Sequence, residues 1–202
     1  AKMDVSLLVI DEAHCISEWG PNFRPEYLNL PIYQEAFSIE QTLLLTATAT
    51  EQVIDDMCTK FDLARENVFV TGFYRNNLFI QVSPTSTSEK EEHLLRRILE
   101  RPEASTIVYV TLQKTAERVA AFLGGHGIDA QPYHAGMQTV EREQIQNQFM
   151  KGDLACVVAT IAFGMGIDKK DIRRVIHFDL PKSIENYSQE IGRSGRDGEP
   201  AL

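Results

Sequence analysis

The chain has 202 residues, 43% hydrophobic and 24% charged, with a formal net charge of −9 at pH 7. That is the balance of an ordinary globular protein with enough apolar matter for a core, and the acidic total argues against a uniformly basic nucleic-acid binder. No apolar run approaches the roughly 18 residues of a membrane span and no signal peptide is visible. Cys15, Cys58 and Cys156 form no C-x-x-C, so neither a zinc site nor a disulfide framework is signalled, and a reducing, intracellular compartment is expected.

The first predicted element is the run Leu7-Leu8-Val9-Ile10, which leads straight into Asp11 and Glu12. An unbroken aliphatic run reads as a parallel strand buried on both faces. Carboxylates at its C-terminal end stand where open α/β sheets place ligands. Adjacent acids there suit a divalent metal: one carboxylate holds Mg²⁺ through its water shell, and the other orients or deprotonates an attacking water. The alternative is an ordinary strand meeting an acidic loop. Residues 15–27 read as a loop carrying Trp19, Phe23, Arg24 and Tyr27, because Gly20-Pro21 and Pro25 forbid a continuous helix. A second strand is expected over 41–45, followed by a threonine-rich turn. Thr48 and Glu51 read as a capping box for a helix that buries Val53, Met57 and Phe61. A third short strand is expected over 68–70.

Residues 71–87 read as a linker, with Gly72, Asn76-Asn77, Pro84 and a Ser/Thr-rich run. Ser88 and Glu91 offer a second capping box, for a helix with Leu94, Leu95, Ile98 and Leu99 inward. A fresh series follows: a strand over 106–110, a helix over 115–123 stopped by Gly124-Gly125, a strand over 130–134, and a helix over 139–150 closed near Gly152. Strands over 155–160 and 174–178 come next, then a helix from the Ser183 cap to Gly192. Strands alternating with helices imply an α/β protein with parallel sheets, part of one sheet before the linker and most of a second after it.

Two further stretches carry chemistry. The segment 159–168 leaves a buried strand and enters a glycine-rich turn, where backbone can approach a phosphate closely; Thr160 can donate to a phosphate and Asp168 can accept from a ribose hydroxyl. In 189–198, Arg193 and Arg196 are three apart, a spacing that puts both guanidiniums on one side of a helix end. Arginine grips phosphate oxygens bidentately, and a pair aimed at a γ-phosphate would stabilise charge that develops in transfer. The segment 168–198 holds seven cations against six acids, so it is about neutral inside an acidic chain. The bland reading is a solvated surface pair.

Taken together, LLVIDEAH, TATAT, ATIAFGMGIDK and QEIGRSGRDG occur in the order of motifs II, III, V and VI of superfamily-two helicases. The loop CISEWGPNFRPEY narrows the resemblance to the RecQ family of DNA helicases. FYRNN and YHAG also resemble family signatures. The resemblance covers essentially the whole chain and implies two RecA-like parallel-sheet lobes, the first incomplete: residues 1–77 the C-terminal part of the first lobe, 78–202 the second. It implies ATP and Mg²⁺ as cofactors, and single-stranded DNA and duplex junctions as partners, with no membrane partner. Asp11 would hold Mg²⁺ through water, Glu12 would activate the attacking water, and His14 would couple them to Thr46 and Thr48. Trp19, Phe23 and Arg24 would grip single-stranded DNA. Stacking of this kind contributes roughly 1–3 kcal/mol per base. Thr160, with His134 nearby, would meet the DNA backbone. Asp168, Gly166 and Gln189 would serve the nucleotide, Arg196 would be the arginine finger, and Arg193 a second γ-phosphate or relay contact. Pro21-Asn22 stands where the family commonly has His-Asp, and Glu18 where it has glutamine, which puts efficient DNA-stimulated hydrolysis in doubt. The chain contains no Gly-Lys-Ser or Gly-Lys-Thr, so it is expected to be a fragment of a 3′–5′ helicase that by itself hydrolyses no ATP. The rivals are a non-catalytic helicase-like binding module and an RNA-directed enzyme of the same superfamily; the Trp19–Phe23 loop speaks against the latter.

Overall fold

The run 7–10 does form a strand, β1 (Leu7–Ile10), paired in parallel with β2 (Gln41–Leu44), Ile10 opposite Leu44. This computed structural model describes residues 5–17, 24–72, 74–164 and 167–202. The chain divides into two units, Ala1–Phe73 and Tyr74–Leu202.

In the first unit, α1 (Leu30–Ala36) precedes β2 and α2 (Glu51–Phe61) follows it. Ile10 and Leu8 pack with Val53, Ile54, Met57 and Phe61 of α2, while Leu7, Val9, Leu43 and Leu45 are about half exposed. The expectation of burial on both faces is therefore corrected. β1 alternates with period two, because among the described residues only one layer of helix covers the pair. The run 68–70 is not a strand: Val68 follows a 3-10 turn (Arg65–Asn67), and Phe69 and Val70 are exposed. Branched and aromatic residues favour a ladder but cannot form one without a partner strand. Beyond Arg24, the loop contains a 3-10 turn (Pro25–Asn29) that runs into α1. Pro25 and Pro31 sit in first turns, where a missing N–H costs nothing. The cap of α2 is Thr50, whose Oγ1 accepts from Val53 N at 3.4 Å, rather than Thr48.

The second unit is a four-stranded parallel sheet in the order β4-β5-β3-β6. Its elements are α3 (Lys90–Leu99), β3 (Thr106–Tyr109), α4 (Gln113–Gly125), β4 (Ala130–Tyr133), α5 (Thr139–Lys151), β5 (Cys156–Ala159), β6 (Arg174–His177) and α6 (Ile184–Ile191). Val108 and Val110 face α3 and α4, whereas Ile107 and Tyr109 face Ile145 and Phe149 of α5, so both faces of the sheet are covered. This is why the second unit's strands read as continuous apolar runs. Gly124 and Gly125 lie inside α4; the chain turns at Gly127, whose φ of 80° suits glycine. α3 is introduced by a 3-10 turn (Thr87–Glu89), with Ser86 Oγ donating to Glu89, so the serine-glutamate pair sits two residues earlier than predicted. Ser183 caps α6 as expected, accepting from Asn186 N at 3.2 Å. Ala201 and Leu202 extend the sheet: Val175 N donates to Leu202 O at 2.8 Å, and Phe79 N to Ala201 O at 2.8 Å. Among the described residues no helix is long and apolar enough to cross a membrane.

Candidate functional site

Asp11 and Glu12 emerge, exposed, from the C-terminal end of β1. Glu12 has φ 50° and ψ 41°, a left-handed conformation that costs a non-glycine residue about 1 kcal/mol or more. The sharp bend lets Glu12 N donate to Asp11 Oδ1 at 2.8 Å and starts the 3-10 turn Ala13–Ile16. Ala13 N donates to Leu45 O and Leu45 N to Ile10 O, each at 2.9 Å, so the acidic turn and the threonine-rich turn after β2 are stitched together by backbone.

His14 is 1% exposed and joins the two turns through its side chain. Nδ1 lies 2.8 Å from Thr46 Oγ1 and 3.3 Å from Glu12 Oε2. Thr46 Oγ1 already donates its one proton to Thr48 O at 3.2 Å and accepts from Thr48 N. It must therefore accept from His14, so the proton sits on Nδ1, where Glu12 can share it. Nε2 is then the acceptor, 3.7 Å from the Cys15 thiol, which burial pushes up and so keeps protonated. Burial also lowers the His14 pKa from its ordinary 6.5; Glu12 opposes the shift and Arg24 adds to it. A histidine held neutral contributes stability that is present above pH 6.5 and lost as pH falls towards the lowered folded-state value. Relative to His14→Gln, the wild-type chain should lose up to about 1.4 kcal/mol per pH unit in that window, read from urea melts between pH 7.5 and 5. Parallel curves would contradict the buried neutral ring.

Arg24 is exposed; its N–H donates to Cys15 O at 2.9 Å and its guanidinium lies 6.0 Å from the Tyr27 ring. The Tyr27 hydroxyl donates to Asp11 O at 3.5 Å, which ties the stretch after the aromatic-rich loop to the acidic turn. Trp19 and Phe23, with Glu18 and Pro21-Asn22, lie outside the described residues, as does Gly166.

In the second unit Thr160 lies just past the C-terminal end of β5, whereas the turn that carries Arg196 is bonded near the start of β6, where Gly195 N donates to Ile172 O at 2.9 Å. A cavity of about 50 Å³ is lined by Thr111, Thr160, His177, Asp179, Lys182 and Glu190, among others. Thr160 N donates to Tyr133 O at 3.1 Å, and Phe163 N to Thr160 O at 3.0 Å. The Tyr109 hydroxyl donates to Phe163 O at 2.9 Å; burial pushes its pKa up to about 12 against the opposing pull of Arg193. Arg193 turns inward and donates to Gly164 O. A Cβ on Gly164 would lie 2.7 Å from Arg193 Cζ, so glycine is what allows this approach. Arg196 donates to Asp168 Oδ1 at 3.0 Å and to Ile167 O at 3.3 Å. Both arginines lie beyond α6 and reach the same loop, one at each end. Gln189 is half-buried on α6. His134 is 4% exposed, with Nε2 3.3 Å from Glu117 Oε1 but without hydrogen-bond geometry. In this conformation it meets a ligand only through its neighbours.

Four residues of this region were not assigned roles from the sequence. His177 Nε2 lies 2.7 Å from Glu190 Oε2 and tethers the last turn of α6 to the end of β6, its ring stacked 5.8 Å from Tyr109. Arg75 and Asn77 bind the carbonyls of the 194–195 turn. Glu190 is adjacent to Gln189, and Arg75 and Asn77 lie within FYRNN, so proximity to the motifs was the available signal. The described residues contain no cluster of three or more His, Cys, Asp or Glu side chains arranged for a metal ion.

Residues 89–198 match the family described as helicase conserved C-terminal domain, and residues 2–57 match the DEAD/DEAH box helicase family. The chain is 44% identical over 197 residues to an ATP-dependent DNA helicase RecQ of Pasteurella multocida, covering 98% of this chain and 31% of that protein. It is 39% identical over 205 residues to the mouse bifunctional 3′-5′ exonuclease/ATP-dependent helicase WRN, covering 98% of this chain and 14% of that protein. In fold it is similar to yeast (S. cerevisiae) Dbp5 bound to RNA and ADP BeF3, with a TM-score of 0.72, 22% identity, and coverage of 98% of this chain and 52% of that one. The fold is thus of the α/β class, two units each built on a parallel sheet.

Proposed function

Because this chain belongs to the family of helicase conserved C-terminal domains, and within it to the RecQ branch, we propose that it forms part of an intracellular ATP-dependent DNA helicase moving 3′ to 5′. It spans about a third or less of the length of the curated relatives cited above. The carrying observation is the pair Asp11 and Glu12 at the end of β1, joined through His14 Nδ1–H to Thr46. A state change at the acids is passed to the threonine-rich turn by one shared proton donor.

Two adjacent exposed carboxylates, one already accepting a backbone N–H, fit a hydrated Mg²⁺ bound to nucleotide phosphates; no all-protein cage is needed. Such an ion would neutralise phosphate charge when bound. Asp11 would hold its water shell, and Glu12 would orient the attacking water and accept its proton. Asp168 and Gln189, with the backbone at Gly166, would serve the nucleotide, and Arg193 and Arg196 its γ-phosphate. Trp19, Phe23, Arg24 and Thr160 would hold single-stranded DNA or the junction with duplex, with His134 supporting from beneath.

The test is Glu12→Gln in the intact protein. Binding of ATP and DNA should persist, while ATP turnover and duplex unwinding fall by at least a hundredfold. DNA duplexes should be opened and RNA duplexes of the same sequence should not. The 202-residue chain alone should show no DNA-dependent turnover. Turnover unchanged by Glu12→Gln, or a preference for RNA, would overturn the reading.

A further inference from the structure

The turn that carries Arg196 is gripped from a distant part of the chain. Arg75 Nη2 donates to Gly195 O at 2.6 Å and to Ser194 O at 3.2 Å. Asn77 Nδ2 donates to the same Gly195 O at 2.7 Å and to Glu199 O at 2.9 Å. Arg75 Nε donates to Asn77 Oδ1 at 3.3 Å, so the two side chains brace one another. These bonds join residues 118 to 122 positions apart. Gly195 has φ 57°, and an added Cβ would lie 2.6 Å from Asn77 Nδ2 and 2.9 Å from Glu199 O. Glycine is therefore required here both by the backbone and by the closeness of the clasp.

The other side of the turn is held as well. Gly195 N donates to Ile172 O at 2.9 Å, and Arg173 grips Asp197 with both guanidinium nitrogens. That bridge holds the Asp197 carboxyl down at about 2. Arg196 thus sits between a clasped residue and a bridged one. Its side chain is 36% exposed and, among the described residues, reaches Asp168 and the carbonyls of Ile167 and Gly192. The backbone is held on both sides, and the guanidinium is paired with a carboxylate that is 76% exposed.

We propose that Arg75 and Asn77 are positioning residues for Arg196, holding the carbonyls of Ser194 and Gly195 so that the finger starts from one backbone placement. This rests on the reading of Arg196 as the γ-phosphate contact. A fixed base reduces what must be ordered when charge develops at the phosphate, and a displacement of about 1 Å at such a group costs on the order of a hundredfold in rate. The clasp donates only to backbone carbonyls, so it acts through geometry and not by touching nucleotide.

The experiment is a double-mutant cycle on ATP turnover in the intact protein. Asn77→Ala and Arg75→Lys should each lower kcat by on the order of ten- to a hundredfold, leaving KM for ATP within about twofold. Arg75→Lys keeps the charge but loses the fork, which guards against a variant that fails to fold. Combined with Arg196→Ala, either substitution should add less than about threefold to the loss from Arg196→Ala alone, because they act through that side chain. If the losses multiply, or if kcat is unchanged while only thermal stability falls, the clasp is a plain structural tether and the proposal fails. If Arg196→Ala itself leaves kcat intact, it is the reading of Arg196 that fails, and the cycle separates the two outcomes.

Discussion

On the proposed function, alanine at position 196 is expected to lower ATP turnover of the intact protein by at least a few hundredfold, a loss of roughly 3 kcal/mol or more of transition-state stabilisation, while leaving DNA binding in place. The geometry explains why so much can rest on one exposed side chain. Arg196 is paired with Asp168 at 3.0 Å, but the partners are 36% and 76% exposed, and a solvated pair of this kind is worth about 0–1 kcal/mol. Exchanging that carboxylate for a phosphate group with more charge and more acceptors is therefore cheap. Arg193 is not equivalent. Its guanidinium is half-buried against Gly164 O and near the Tyr109 hydroxyl, so moving it would strip a buried donor of its partner. Arg193→Ala should accordingly disturb the 160–164 loop and stability as well as turnover, whereas Arg196→Ala should leave the melting curve almost unchanged. Steady-state turnover at saturating DNA, beside thermal melts of both variants, makes the comparison. A large stability loss for Arg196→Ala, or full turnover, would contradict the assignment.

The elements whose physics is local were legible in the sequence. The apolar runs of β3 and β5 have helices on both faces, so hydrophobic continuity alone marked them. Ser183 capped α6 where its position said it would, accepting from Asn186 N. Misplacements arose where an element's end fell a few residues away or a propensity found no partner strand among the described residues. Thr48 does not cap α2 because the helix starts at Glu51, so Thr50 stands at the cap and accepts from Val53 N, while the Thr48 hydroxyl finds no partner among the described residues. Phe69 and Val70 have strand propensity but, among the described residues, no strand beside them. Gly124 and Gly125 stay in α4 because the left-handed turn comes later, at Gly127. The same distinction applies to the candidate site. Asp11, Glu12, Arg193 and Arg196 stand out by residue type and spacing. The His14 tautomer, the His177–Glu190 tether and the Arg75–Asn77 clasp are made of contacts across the fold, and no spacing rule announces them.

The second large effect concerns the floor beneath the glycine-rich loop. Phe149 on α5 is fully buried, with its ring 5.5 Å from that of Phe163 at an interplanar angle of 77°, and Phe163 in turn lies 4.7 Å from the Tyr133 ring. Edge-to-face pairs of this kind add about 0.5–1.5 kcal/mol to area burial. Phe163 is also the residue whose carbonyl accepts from Tyr109, so its ring adds a packed anchor to the hydrogen bonds that hold the loop carrying Thr160 and receiving Arg193 at Gly164. Phe149→Ala should cost the second unit about 3–5 kcal/mol, because the surrounding strand and helix cannot collapse into the space without moving Phe163. Val140→Ala on the same helix, where the side chain is 63% exposed, should change stability by less than about 0.5 kcal/mol. Phe149→Leu fills most of the volume without the ring contact. It should keep the fold while raising amide exchange at 160–164, the signature of a loop that has lost its anchor rather than a unit that has unfolded. Denaturant melts and residue-resolved exchange on the three variants give the result. A loss below about 1 kcal/mol for Phe149→Ala, or exchange at 160–164 unchanged in Phe149→Leu, would show that the loop is held by its backbone bonds alone.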